Sequence, residues 1–369
     1  MPSRLSAVQA VTPAFEQTKQ QLFKPFRFRH WLNLATISLV TGEFLSGGGG
    51  GWGGGGGRAN LPLPRRRGGG ESLLVAFANP VWDRVKEFLP WVLAGVAVLI
   101  VLFLLWLYAA SIYRFILFDS VLYNRSELRK GWRRYKPHGY SYFLWTLCLA
   151  MAVPAGLLVL IGGPIFLAWR AHIFDHPKEH LALLILGGAG LLILLMAALL
   201  LAAIVALFAK DFVVPAMAME NLGVLDGWRR VLPMLRTEKL AYAGYVLMKI
   251  VLAVGTAIIF GIINFVVILM MLIPLAIMGV AAYFLGKAAG LTWSLGTISA
   301  VVILGGAVLF LMFYVIAFIS APAMVFFQSY TLHFFGSRYP ALGAVVFPPS
   351  PPPPVSPAAP VEPLPLPAG

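Results

Sequence analysis

The histidines between His172 and His180 are the residues best suited to metal chemistry in this sequence. The stretch from His176 to His180 has the order His-x-x-Glu-His, which one class of zinc proteases uses for its ligands. A catalytic zinc also needs a third protein ligand and a partner for each histidine, and the sequence points to neither. The same residues fit a helix start, with Pro177 in the first turn and Glu179 near the positive end of the helix dipole. We favour the helix start, keep His172, His176 and His180 as metal candidates, and expect no catalytic site or cofactor.

Six further polar residues lie within or at the edge of long apolar runs, where such groups are costly unless they find a partner. They are Arg114, Asp119, Lys210, Asp211, Lys249 and Asn264. The first four lie near predicted helix ends, so interfacial ion pairs explain them more simply than a proton or ion pathway does. Lys249 can reach the headgroups by extending its side chain. Asn264 is placed to bond to a neighbouring helix.

The tetrapeptide Gly-Trp-Arg-Arg occurs twice, at residues 131–134 and 227–230. Apolar and basic residues around each copy share opposite faces at helical spacing, which predicts amphipathic helices lying in the headgroup plane. Tryptophan suits that depth because its ring is apolar while its N–H can stay hydrated. A membrane anchor is the simpler interpretation, and a site for an anionic lipid or a membrane-protein partner is the alternative. The candidate residues are Trp132, Arg133, Arg134, Trp228, Arg229 and Arg230.

Composition places these residues in an integral membrane protein. Hydrophobic residues make up 60% of the 369 residues and charged residues only 11%, against about 25% in a typical soluble domain. The mean hydropathy is +0.84. The formal net charge is +14. In a membrane protein, an excess of Lys and Arg is typical of loops that remain in the cytoplasm, so we do not expect a nucleic-acid partner. The single cysteine, Cys148, excludes a disulfide within the chain.

Apolar runs set the predicted number of membrane crossings. Four runs are clear crossings, at 90–112, 143–169, 181–209 and 298–320. The run at 241–285 fits one kinked helix or a tight pair. The run at 31–45 is short and contains Asn33 and Glu43, but it completes the even number of crossings that would keep the repeated segments on one side. We therefore predict an all-α integral membrane protein with six transmembrane helices in three hairpins and repeated amphipathic interfacial helices.

The charge distribution gives this arrangement an orientation. Lys and Arg are about twice as numerous on the side of the repeated segments, which predicts that these segments and both termini are cytoplasmic in a multi-pass protein of a bacterial inner membrane. The predicted parts are a cytoplasmic amphipathic segment at 1–30, hairpins at 31–112, 113–240 and 241–345, a glycine-rich loop at 46–70 and a disordered proline-rich tail at 346–369.

Several short motifs occur in a characteristic order. They are Pro-Ala-Phe at 13–15, Leu-Phe-Lys-Pro-Phe at 22–26, Trp31, the glycine-rich loop, Arg-Phe-Ile-Leu-Phe-Asp at 114–119, Gly-Trp-Arg-Arg and Gln-Ser-Tyr at 328–330. Over roughly residues 11–342, this order resembles an uncharacterised family of bacterial multispanning membrane proteins, similar in style to the membrane domain of some glycerophosphodiester phosphodiesterases. The resemblance implies a six-helix inner-membrane protein of unknown function. Phosphodiesterase activity is not carried over, because the chain contains no soluble phosphodiesterase domain.

The leading hypothesis from the sequence is a non-enzymatic membrane protein whose cytoplasmic interfacial helices bind anionic lipid or a protein partner. A small-molecule or lipid transporter is the second hypothesis, and an intramembrane metalloenzyme is the third.

Overall fold

The computed structural model describes residues 4–24, 26–45, 71–125, 127–173, 180–290 and 294–348. The predicted loop at 46–70 and nearly all of the predicted tail lie outside these ranges. The described residues form helices and no strand. The helices are α1 (Val11–Phe23), α2 (Phe28–Thr41), α3 (Glu71–Tyr123), α4 (Leu128–Arg170), α5 (Leu181–Phe208), α6 (Val214–Glu220), α7 (Val224–Thr237), α8 (Lys239–Ala288), α9 (Leu295–Gly336) and α10 (Pro340–Val346), with a 3₁₀ turn at Glu43–Leu45 and a π-helix at Ala209–Val213.

Five helices in the described part of the chain are long and apolar enough to cross a membrane. They are Leu89–Tyr123, Leu128–Arg170, Leu181–Glu220, Lys239–Ala288 and Gly296–Gly336. The apolar run at 241–285 therefore belongs to one continuous helix, which passes through Pro274. Proline is tolerated in membrane helices where neighbouring groups compensate for the lost backbone bond.

The run at 31–45, counted above as a crossing, is not among these five helices. Most of it forms α2, which has 14 residues and is therefore about 21 Å long, less than the ~30 Å hydrocarbon core. Trp31 near its start packs on Phe318 of α9, and Phe44 just past its end packs on Phe313. Gly42 between these two contacts has a left-handed backbone (φ 71°), so α2 ends before Phe44. Helix α2 therefore packs on α9 and ends at Gly42.

The first Gly-Trp-Arg-Arg copy also differs from its prediction as a separate interfacial helix. It lies near the start of α4, which continues through Pro137 into the crossing without a break. The second copy lies in α7, a separate helix of 14 residues. Only the second copy is therefore an independent short helix.

The hydrophobic core gathers at the end of the bundle where both copies lie, which we call the repeat end. It includes α1, α2, the last turns of α3 and α9, the π-helix and the first turns of α4 and α8. The N-terminal residues are fixed there: Gln21 Nε2 donates to the Ser120 carbonyl oxygen (2.8 Å), and Tyr330 OH donates to the Ala7 carbonyl oxygen (3.0 Å). Towards the other end the helices expose large apolar side chains, such as Leu158, Leu186 and Met270. Such surfaces suit contact with lipid chains.

Close glycine contacts fix the helix crossings at the repeat end. A Cβ on Gly139 of α4 would overlap the Ile112 side chain and would lie 3.1 Å from the Ile112 Cα of α3. The missing side chain thus lets α3 and α4 approach closely, as small residues do in membrane bundles.

We expect Gly139→Ala to lower the stability of the detergent-solubilised protein by about 1–3 kcal/mol, because the added methyl group must push α4 away from α3. Thermal unfolding measures the effect. The matched control is Gly156→Ala in the same helix, where an added Cβ meets nothing within 4 Å. Equal melting temperatures for the two variants would contradict this packing.

Candidate functional site

A buried ion pair joins the π-helix to α8. Lys249 Nζ lies 2.5 Å from Asp211 Oδ2, and the two side chains are only 3% and 2% exposed. Tyr245, one turn before Lys249, donates its hydroxyl to the same carboxylate oxygen at 2.9 Å. That hydroxyl also lies 2.7 Å from Thr331 Oγ1 of α9. The pair therefore connects three of the candidate membrane-spanning helices through hydrogen bonds.

The residue before Asp211 makes a second buried pair in another direction. Lys210 Nζ lies 2.6 Å from Glu43 Oε1 in the 3₁₀ turn after α2, and both side chains are largely buried. Lys210 and Asp211 are adjacent residues of the five-residue π-helix. A π-helical turn inserted at the end of an α-helix is often found at functional sites. Here Lys210 bonds towards the N-terminal part of the chain, while Asp211 bonds towards α8.

Arg114 of α3 is the third cation in this region. Its Nη1 donates to the Tyr142 hydroxyl of α4 at 2.7 Å, and its charge interacts with those of Glu43 and Asp211. Its Nε is buried and makes no hydrogen bond to any described residue. We call Glu43, Arg114, Lys210, Asp211 and Lys249 the buried ion cluster. Three cations and two carboxylates leave it with a formal charge of +1.

The cluster unites four of the six polar residues that the sequence singled out, but with different partners. The position of Lys249 in the sequence suggested that its side chain extends to the headgroups. It does not, because Asp211 binds it inside the protein. Asp119 lies apart, where it accepts from the Tyr135 hydroxyl at 2.8 Å. Asn264 is also separate and donates to Ser320 of α9 at 3.2 Å.

Sequence reasoning missed Glu43, Tyr142, Tyr245 and Thr331 as members of the site. Glu43 was noted only as a polar residue within a short apolar run. Its burial and its pairing with Lys210 depend on how α2 packs on the bundle. A carboxylate in an apolar run was the available signal.

The two Gly-Trp-Arg-Arg copies have similar local structures. Each follows an asparagine in the left-handed conformation, Asn124 (φ 51°) or Asn221 (φ 54°), where the preceding helix has just ended. Each glycine faces a close neighbour: an added Cβ would lie 3.0 Å from Ile116 at Gly131 and 2.8 Å from Val213 at Gly227. In both copies the glycine therefore lets the helix that bears the Trp-Arg-Arg residues pack onto the preceding helical segment.

The tryptophans of the two copies are partly buried against other aromatic rings. Trp132 packs edge-on to Tyr113 of α3 at 5.7 Å, and Trp228 packs against Trp145 of α4 at 6.0 Å. These contacts place both indoles at the boundary between the core and the exposed basic surface.

The four arginines of the two copies lie on the surface. Arg134, Arg229 and Arg230 approach Asp119, Asp226 and Glu220 at 3.9, 3.1 and 3.1 Å. The hydrogen bond and the charge of Glu220 raise the pKa of the Arg230 guanidinium above its usual value. Arg133 is exposed. Exposed ion pairs are weak, so these guanidinium groups remain accessible to external anions.

Only His172 and His180 of the predicted histidine cluster lie among the described residues. They flank the segment 174–179, which contains His176 and lies outside the described ranges. Helix α5 begins at Leu181, directly after His180, while Pro177 and Glu179, which were predicted to lie at its start, fall in that segment. Within the described ranges, no group of three His, Cys, Asp or Glu residues is placed to hold a metal ion.

The five long apolar helices of the described chain, which meet around buried ion pairs, are compatible with a multi-pass helical membrane protein. Residues 5–345 match the sequence profile of a family of unknown function (DUF7544), and the chain belongs to that family. No curated protein and no solved structure matches the chain. The expected likeness to the membrane domain of glycerophosphodiester phosphodiesterases finds no support in these comparisons.

We expect Lys249→Met to destabilise the protein by about 3–5 kcal/mol, because it leaves the Asp211 carboxylate buried without its cation. Combining it with Asp211→Leu should recover much of that loss, since an apolar pair requires no desolvation of charge. Thermal unfolding in detergent measures both variants. The control is Arg229→Gln, which breaks a surface ion pair and should cost less than about 1 kcal/mol. A Lys249→Met melting temperature equal to that of the control would contradict the buried pair.

Proposed function

We propose that this chain is a non-enzymatic multi-pass protein of a bacterial inner membrane and that its repeat end binds anionic lipid on the cytoplasmic side. The observation that carries the proposal is the exposure of four arginines directly beside two half-buried tryptophans. Tryptophan anchors a helix at headgroup depth, so the neighbouring guanidinium groups would lie at the level of lipid phosphates. Each basic residue near an anionic surface contributes roughly 1 kcal/mol of attraction.

The arrangement of residues in α7 suits a position at the depth of the lipid headgroups. Its buried residues are Val224, Gly227 and Val231, which share one face, while Arg229 and Arg230 are more exposed. A short helix with one buried and one basic face suits the plane of the interface. The buried face of α7 would then lie on the protein core, and its arginines would point towards the lipid headgroups.

Two crossings, α4 and α5, separate the two Gly-Trp-Arg-Arg copies, which favours a common membrane face for both. The N-terminal residues contact the same end of the bundle, since Arg338 after α9 donates to the Leu5 carbonyl oxygen at 2.8 Å. The first long span begins at Leu89, at the opposite end. The six crossings predicted from the sequence, with the run at 31–45 as the first, are part of the proposal, together with cytoplasmic termini and an ancient duplication of the repeated segments.

Replacing Arg133, Arg134, Arg229 and Arg230 by Gln should reduce enrichment of anionic lipid around the protein by about fivefold or more, the equivalent of ~1 kcal/mol. The measurement is the preference for spin-labelled phosphatidylglycerol over spin-labelled phosphatidylcholine in reconstituted vesicles. The matched control replaces the same four residues by Lys, which keeps the charge and should keep the enrichment. An unchanged preference in the Gln variant would contradict lipid binding and leave a protein partner as the use of this surface.

A small-molecule or lipid transporter is the second candidate, and the buried ion cluster favours it. Buried ionisable groups within membrane helices commonly mark ion or proton pathways. The cluster has a positive charge in excess and contains residues from α3, the π-helix and α8, elements that would have to move relative to one another during transport.

If the cluster carries protons, wild-type proteoliposomes should acidify under an imposed membrane potential, as measured by an enclosed pH-sensitive dye. Lys249→Met should abolish this flux, whereas Asn264→Ala, outside the cluster, should retain it. Flux through the wild type no faster than through protein-free vesicles would contradict proton coupling.

A further inference from the structure

A groove of about 550 Å³ opens at the repeat end between the first described residues and α8. Ala7 and Val8 line one side of the groove, and Gly244 and Met248 of α8 line the other. Most of its surface is apolar, but two arginines, Arg4 and Arg338, also line it. The groove therefore combines a basic part with an apolar part.

The basic part lies at the start of α8, where Glu238 binds both arginines. Arg4 Nη1 lies 2.5 Å from one carboxylate oxygen, and Arg338 Nε lies 2.9 Å from the other. One carboxylate between two guanidinium groups leaves one positive charge. Arg338 is also fixed by its stacking on the Phe334 ring, 4.0 Å from the ring centroid. The Arg4 side chain is 68% exposed and remains able to meet a second anion.

The apolar part follows α8 from its first turn into the membrane. Leu240, Gly244, Leu247 and Val251 line the groove, and their spacing places them on one helix face. This stripe is about 16 Å long. Leu247 and Val251 are more than half exposed, so the stripe is open to a ligand along its length. Gly244 lines the groove and an added Cβ there would meet nothing within 4 Å, so a larger side chain at this position would extend into the groove.

We propose that this groove binds one anionic phospholipid, with its phosphate at the exposed Arg4 side chain and one acyl chain along the α8 stripe. The Arg338 side chain is only 5% exposed and is bonded to Glu238 and to the Leu5 carbonyl oxygen, so it contributes its charge and not a direct contact. The excess positive charge complements a phosphate, and the stripe continues from that charge in the direction in which an acyl chain enters the bilayer. A free phosphate ion would use only the basic part and would leave the apolar stripe uncovered. The site goes beyond the proposed function because it binds a single lipid at a defined position away from Trp132 and Trp228.

Native mass spectrometry of the full chain in detergent, titrated with phosphatidylglycerol or phosphatidylcholine, tests the site. We expect one tightly bound phosphatidylglycerol per chain in the wild type. Gly244→Leu should weaken it about tenfold, because the new side chain fills the groove and replaces the acyl-chain contact. The matched control is Gly261→Leu on the same helix, about 15 Å beyond the end of the stripe, where an added Cβ also meets nothing within 4 Å and binding should be unchanged. Arg4→Gln should weaken phosphatidylglycerol binding and leave phosphatidylcholine binding as it was.

Equal phosphatidylglycerol affinity for Gly244→Leu and wild type would overturn the proposal, and so would displacement of the lipid by millimolar inorganic phosphate. The variant with Gln at positions 133, 134, 229 and 230 separates this site from the proposed surface function. It should keep the single tight lipid even where it loses general enrichment of anionic lipid. Loss of the tight lipid in that variant would overturn a separate groove site.

Discussion

The repeat end depends on the ion pair between Lys249 and Asp211. Removing two charges from water costs several kcal/mol for each ion, so the pair is tolerated only with short contacts and further hydrogen bonds. The 2.5 Å separation and the hydroxyl of Tyr245 supply both. Tyr245 in turn stacks almost parallel on Tyr330 of α9, with ring centroids 5.2 Å apart. A charge interaction thus fixes the relative positions of the π-helix, α8 and α9 in a bundle whose other end has few packed side chains.

The same interaction accounts for the placement of the basic surface. Asp211 lies in the π-helix, and so does Val213, the neighbour against which Gly227 packs. Fixing the π-helix therefore also fixes α7 and its arginines. Arg114 has the corresponding role for the first copy, because its bond to Tyr142 joins α3 to α4 close to the crossing at Gly139. The buried ion cluster therefore positions the two Gly-Trp-Arg-Arg copies at the protein surface.

Much of this fold is predictable from the sequence, because membrane crossing requires long apolar helices and leaves few alternatives. The long apolar helices, and the position of Lys249 within one of them, could be predicted from the apolar runs. The partners of Lys249 and Lys210 were not, since they depend on the extra turn of the π-helix and on the path of α2, neither of which changes the pattern of apolar residues. The continuity of α4 was missed because the opposite apolar and basic faces around residues 131–134 predicted a separate interfacial helix. The helix instead continues through Pro137, which membrane helices tolerate.

The central claim is that the buried pair positions a surface helix that contains neither of its residues. Hydrogen–deuterium exchange of α7 in the detergent-solubilised wild type and in Asp211→Asn tests it most directly. The account predicts strong protection of Val224–Thr237 in the wild type and a clear loss of that protection in the variant, with little change near Asn264 in the middle of α8. Equal protection of α7 in the two proteins would contradict it.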